Sequence, residues 1–160
     1  MNTLFESEGW AYKTYELDAG PSEFSGNEEF ITLWQARKDG RFLPAWEDFE
    51  FEDFTSWWGN IMVLDYLKDP FDFRFRLWGQ NMVIRYQREA TNSLGSEMVA
   101  QGKMHQMDID YYQYIAEHAK IGYSTGPFVW QGREHITTAF LDLPLSSDGK
   151  TVTNCLSLMI

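Results

Sequence analysis

The segment DPFDFRFRLWGQNMVIRY, Asp69 to Tyr86, decides the reading of this chain. Lys68-Asp69-Pro70 is a turn signal. From Phe71 the residues alternate. Phe71, Phe73, Phe75 and Leu77 fall on one face, and Asp72, Arg74, Arg76 and Trp78 on the other. That period of two predicts a half-buried strand. Gly79 breaks it, and Gln80 to Gln87 predicts a short helix with Met82, Val83 and Tyr86 turned inward. Just upstream, Asn60 to Leu67 is apolar on both faces, with Ile61 and Val63 opposed to Met62 and Leu64. This predicts a buried strand that pairs antiparallel with the alternating one.

Further upstream, Phe30, Leu33, Trp34 and Arg37 recur at i, i+3, i+4 and i+7. They predict a helix that begins near Asn27, with Glu28 and Glu29 in its first turn, and ends at Gly40. Residues 1–27 hold scattered aromatics and the turn-rich runs around Gly20-Pro21 and Ser25-Gly26. They are expected to form an N-terminal extension with a short helix, leaving 28–160 as the domain proper. Phe54 to Trp58 suits one helical turn. Residues 88–107 are polar and irregular, with a turn of helix around Glu97. A longer helix is expected from Asp108, as its cap, to about Ile121. Three strands close the chain: Tyr123–Trp130, Ile136–Leu145 and Thr151–Ile160. Their turns are Gln131-Gly132-Arg133 and Ser146-Ser147-Asp148-Gly149.

The totals restrict the function classes. With 160 residues, 44 % of them hydrophobic, the chain can bury a real core. A net charge of −11 repels a phosphate backbone, and no basic patch offsets it, so nucleic acid is not an expected partner. A single cysteine, Cys155, excludes an internal disulfide and a cysteine-rich zinc site. The start, MNTLFESEGW, lacks the basic and apolar regions of a signal peptide. No apolar run approaches the roughly 20 residues of a membrane span. A cytoplasmic protein with no membrane partner is the expectation. The acidic run Glu47, Asp48, Glu50, Glu52 and Asp53 reads as helix-capping acids in a solvated loop. It lacks the glycine and terminal glutamate of an EF-hand.

Two hairpin strands, a helical middle and three closing strands form the plan of a PAS domain. Further residues fit that plan: Leu33-Trp34, Arg37, Gly40-Arg41-Phe42-Leu43-Pro44, Val63-Leu64-Asp65, Arg74-Phe75-Arg76-Leu77-Trp78-Gly79-Gln80, Leu143-Pro144-Leu145 and Asp148-Gly149. In that order the chain resembles an alphaproteobacterial PAS-like family over roughly residues 28–160. It departs from the family pattern at Gln80, where the family has Thr. It departs again at Glu89-Ala90-Thr91-Asn92, where the family has Asp-x-Thr-Gly. The resemblance implies an α+β fold: an antiparallel sheet of about five strands, helices on one face and an N-terminal helix. It also implies a sensory or protein-interaction role.

Such a domain would hold a small apolar or aromatic ligand between sheet and helices. Alternation points Phe73, Phe75, Leu77, Leu141 and Leu143 toward that space, with Tyr86, Tyr111 and Ile115 covering it from the helices. The competing reading of the same residues is a filled core. Arg74 and Arg76 are expected to pair with Asp65, Glu28 or Glu29 as scaffolding. His105, His118 and His135 form no spaced metal motif, and Cys155 lacks the helical context of a photoactive flavin site. The sequence names no cofactor and holds no nucleophile elbow or phosphate loop.

The first expectation is therefore a stand-alone sensory or interaction domain, not an enzyme, that acts through a partner signalling protein. A homodimer is expected because Trp10, Tyr12, Tyr15 and Trp34 are hard to hide in one chain. The alternatives are a small α+β-cone enzyme with an aromatic pocket and a structural adaptor with a filled core.

Overall fold

Strands β3 (Ile61–Leu67) and β4 (Asp72–Trp78) form the expected antiparallel hairpin across the turn at Asp69-Pro70. The computed structural model describes residues 1–128, 132 and 135–160. The hairpin is one end of a seven-stranded, fully antiparallel open sheet. The other strands are β1 (Asn2–Ser7), β2 (Trp10–Tyr15), β5 (Ile121–Pro127), β6 (Thr137–Leu145) and β7 (Asn154–Met159). Their order is β1-β2-β5-β6-β7-β3-β4. Four helices cover the sheet: α1 (Glu28–Ala36), α2 (Gln80–Tyr86), α3 (Gly95–Ala100) and α4 (Gln106–Glu117).

The start of the chain corrects the expectation of a helix and of about five strands. Residues 2–15 are a β-hairpin, and β2 pairs with β5, so they extend the main sheet. The turn is Glu8-Gly9, with φ of 52° and 83°. Positive φ at both central residues suits the right-handed twist of a hairpin. Trp10 and Tyr12 alternate with Ala11 and Lys13, and only the aromatics are fully buried.

The sheet is covered on both faces. On one, α2, α3 and α4 pack over Met62, Leu64, Phe73, Phe75, Trp78 and Phe140. On the other, α1 and three short 3-10 turns pack over Ile61, Val63, Leu141, Leu143, Leu156 and Leu158. A central strand with helices on both sides must be apolar on both faces, which is why β3 and β7 lack polar alternation.

A bulge re-aims the end of β4. Val63 faces Leu77, but the next residue, Leu64, faces Phe75, so Arg76 is the extra residue. Beyond it the alternation resumes out of phase. Leu77 packs with the α1 layer, and Trp78 joins Phe75 under α2, ring centroids 4.9 Å apart. Gly79 follows at a point of close backbone approach. A side chain there would overlap the carbonyl oxygens of Gly59 and Ile61.

The segments Leu33-Trp34, Gly40 to Pro44 and Leu143-Pro144-Leu145 meet on the α1 face. The Trp34 indole N–H donates to the Pro144 carbonyl at 2.9 Å, and the Ser146 amide donates to the Pro44 carbonyl at 2.9 Å. The acidic run behaves as expected. Asp48 accepts the Ala45 amide and pairs with Arg41, and Asp53 accepts the Glu50 amide and pairs with Arg37. Slight burial pushes both carboxyls up, but these donors hold them below the usual range.

Helix α4 ends at Glu117, not Ile121, because Ala119 turns left-handed (φ 49°) and Ile121 already belongs to β5. Of the predicted turn at Gln131-Gly132-Arg133, Gln131 and Arg133 lie outside the described residues. The edges of the sheet differ. The outer side of β4 is bonded at Phe75 by Asn92 and Ser93, whereas the outer side of β1 pairs with no described strand. No helix among the described residues is long and apolar enough to cross a membrane.

Candidate functional site

The residues expected to line a pocket split between the two layers. Phe73, Phe75, Tyr86, Tyr111 and Ile115 gather on the α4 face. Leu77, Leu141 and Leu143 lie on the α1 face and cannot join them. The bulge at Arg76 moved Leu77. In β6 both faces are buried, so its apolar run carried no phase, and Phe140 and Asp142 point where Leu141 and Leu143 were expected.

Among the sites on the α4 face is a cavity of about 50 Å³ beneath Phe75, Trp78 and Tyr86. Trp10 and Phe140 close it from the sheet side, and Met62, Met98 and Met104 also line it. Its polar residues are Asp108, Ser124 and Lys103, with Tyr111 and Tyr112 beside them. A larger cleft of about 890 Å³ runs along the outside of α4, past Tyr66, Phe71, Gln113, His118 and Lys150. It lies between α4, the turn joining β3 to β4, and the segment Lys150 to Val152. The small cavity is walled by aromatics and thioethers beside a carboxylate.

Behind it lies a polar cluster of which the sequence reading included only Tyr111. Asp142 is fully buried on β6. Its carboxylate accepts the hydroxyls of Tyr111 at 2.7 Å, Tyr112 at 3.1 Å and Ser157 at 2.6 Å. Burial pushes the Asp142 carboxyl up to about 6, against the pull of these three donors. The Asp108 carboxylate accepts the Tyr12 hydroxyl at 2.7 Å and the His105 amide at 2.9 Å. The second bond caps α4 from within, so the helix begins at Gln106 rather than at Asp108. Burial raises the Asp108 carboxyl too, opposed by the Tyr12 hydroxyl.

Among the described residues, two buried groups stay short of partners. The Trp10 indole N–H has none, and the Tyr66 hydroxyl has no oxygen or nitrogen partner and lies against the Cys155 thiol. The signal for Asp142 was in the sequence: a lone acid inside the apolar run Phe140-Leu141-Asp142-Leu143.

Scaffolding arginines divide likewise. Arg76 bonds Asp65, Nε to Oδ2 at 3.0 Å, and Asp65 also accepts the Asn154 amide at 2.6 Å, tying β4, β3 and β7 together. The other acid beside Arg76 is Glu47, at 3.7 Å, not Glu28 or Glu29. Arg74 donates to the Asn92 carbonyl.

The histidines remain apart. His105 Nδ1 meets Glu8 at 2.6 Å, His118 stacks on Tyr114 at 4.1 Å, and His135 sits exposed in a turn. No group of three or more His, Cys, Asp or Glu among the described residues is placed to hold a metal ion. Trp10, Tyr12, Tyr15 and Trp34 are all buried within the single chain, so they no longer argue for a dimer.

The chain matches no family model, and comparison with curated proteins and with solved structures finds no match. The fold is an α+β domain with a seven-stranded antiparallel open sheet and four helices.

Proposed function

We propose that this chain is a PAS-like sensory domain that binds a small ligand between its sheet and helices α2–α4. A partner protein reads the resulting change. The observation that carries the reading is the aromatic cavity beneath Phe75, Trp78 and Tyr86. The connectivity supports it: hairpin β3–β4, three helices, then three strands, the last of which returns beside β3. The elements over the cavity also suit a response. Helix α2 is a short helix whose outward Ile84 is exposed, so a ligand under Tyr86 would move a surface that a partner can touch.

A second reading, a structural adaptor with a filled core, draws on the small size of the cavity, about 50 Å³. A thermal-shift screen against metabolites, with native mass spectrometry of the purified protein, separates the two. A reproducible ligand that raises the melting temperature supports sensing. No ligand, together with a tight homo- or hetero-complex, supports the adaptor and ends the sensory reading.

A further inference from the structure

The cavity on the α4 face is selective in size, charge and hydrogen bonding. Its volume, about 50 Å³, lies between the roughly 30 Å³ share of one water and the roughly 150 Å³ that takes up benzene. A ligand there has only a few non-hydrogen atoms.

Charge sets the next condition. Asp108 is the acid in the wall, and its bonds come from neutral donors, the Tyr12 hydroxyl and the His105 amide. Asp142 stands behind Tyr111 and Tyr112 and adds charge of the same sign. Two opposing groups are already engaged: the His105 ring with Glu8, and Lys103, the cation among the lining residues, in an interaction of its own. The aromatic walls and the thioethers of Met62, Met98 and Met104 also favour a soft cation over an anion.

Hydrogen bonding sets the last condition. Trp10 lines the cavity, and its indole N–H is buried without an acceptor. A simple alkylammonium would leave it unsatisfied, whereas an oxygen on the same ligand would not. The hydroxyls of Tyr111 and Tyr112 are committed to Asp142, so those residues offer mainly carbon surface.

We propose that this cavity binds a compact ammonium compound that also carries a hydrogen-bond acceptor, the class of the short amino alcohols. The ammonium end faces Asp108 and the ring walls, and the oxygen accepts from Trp10. The proposal rests on the ligand-binding reading above and names its ligand class.

The test is a titration, followed by the indole N–H resonances of Trp10 and Trp78, with four probes of equal chain length at neutral pH. Ethanolammonium has both features, propylammonium only the charge, ethylene glycol only the oxygens, and propan-1-ol a single hydroxyl without charge. Ethanolammonium should bind about tenfold more tightly than either partial probe, the worth of one hydrogen bond or one buried charge contact. Trp10→Phe should lower its affinity to that of propylammonium while leaving propylammonium unchanged. Asp108→Asn should erase the preference for the charged probes. The wild-type series needs no variant, so a variant that fails to fold leaves the test intact. Equal binding of the neutral probes overturns the amino-alcohol assignment and leaves a ligand-binding domain standing. Silence of all four probes, joined to an empty metabolite screen, removes the sensory reading as well.

Discussion

The Tyr111 hydroxyl donates to Asp142 Oδ2 at 2.7 Å, joining helix α4 to the centre of the sheet through a carboxylate that no solvent reaches. The folded Asp142 carboxyl sits at about 6, above the roughly 3.9 of an unfolded Asp. The fold therefore favours the protonated form. That stability is fully present below about pH 4 and is lost as pH rises through about 6, an effect of about 2–3 kcal/mol from this group. Asp48, Asp53 and Asp148 are shifted down and act in the opposite sense at lower pH. Urea denaturation across pH should give a maximum near about pH 4. Asp142→Asn should flatten the decline toward neutral pH. A wild-type profile with no decline from mildly acid to neutral pH would contradict this.

Gly122 on β5 lies directly under the same tyrosine, and a Cβ there would overlap the Tyr111 hydroxyl. Gly122→Ala should cost about 2–4 kcal/mol, from overpacking together with displacement of the hydroxyl from Asp142. In a Tyr111→Phe background the same change should cost less, because the colliding oxygen is gone. A double-mutant cycle by denaturant titration measures this coupling, and strict additivity would count against the contact.

Trp34 fastens α1 to β6 through its bond to the Pro144 carbonyl and is wholly buried. Trp34→Phe removes the donor and part of the ring, and should cost about 2–4 kcal/mol. The change should appear as a lowered denaturation midpoint. A loss below about half a kcal/mol, the scale of a surface change, would mean that α1 is not held this way.

Arg76 separates a side-chain effect from a backbone one. Its pair with Asp65 is partly exposed, so Arg76→Ala should cost under about 1 kcal/mol. Deleting the residue removes the bulge but leaves Leu77 opposite Val63 in the α1 layer and Trp78 opposite Met62 in the α4 layer. The deletion should therefore still fold cooperatively by circular dichroism, with a denaturation midpoint close to that of Arg76→Ala. Loss of cooperative folding in the deletion variant would show that the bulge itself, and not only the order of faces, is required.

The sequence was most legible where its pattern had one period and one buried face. Strand β4 up to Phe75, helix α2 and the buried strand β3 lie within a residue or two of their expected bounds. The candidate site was legible in part, through Phe73, Phe75, Tyr86, Tyr111 and Ile115. Leu77 was lost to the bulge, whose trace is the adjacent apolar pair Leu77-Trp78 where alternation should have put a polar residue. Leu141 and Leu143 were lost because β6 is apolar on both faces. The hairpin β1–β2 was hidden by its acids and by a Glu-Gly turn in place of the commoner Asn-Gly. Asp108 was expected as the first cap of α4 but lies one turn inside it, bonding back to the His105 amide, and its part in the cavity wall depends on Tyr12, far away in sequence.

The unlike edges of the sheet give the molecule a direction. The Asn92–Ser93 segment stoppers the β4 side, so a strand from another chain cannot be spliced on there without first evicting it. The β1 side carries no such stopper among the described residues. Any lateral recruitment of backbone by this sheet has one address, at the end farthest from β4. A second copy docking antiparallel along β1 would run the two sheets into a single ribbon, with both cavities left free to fill.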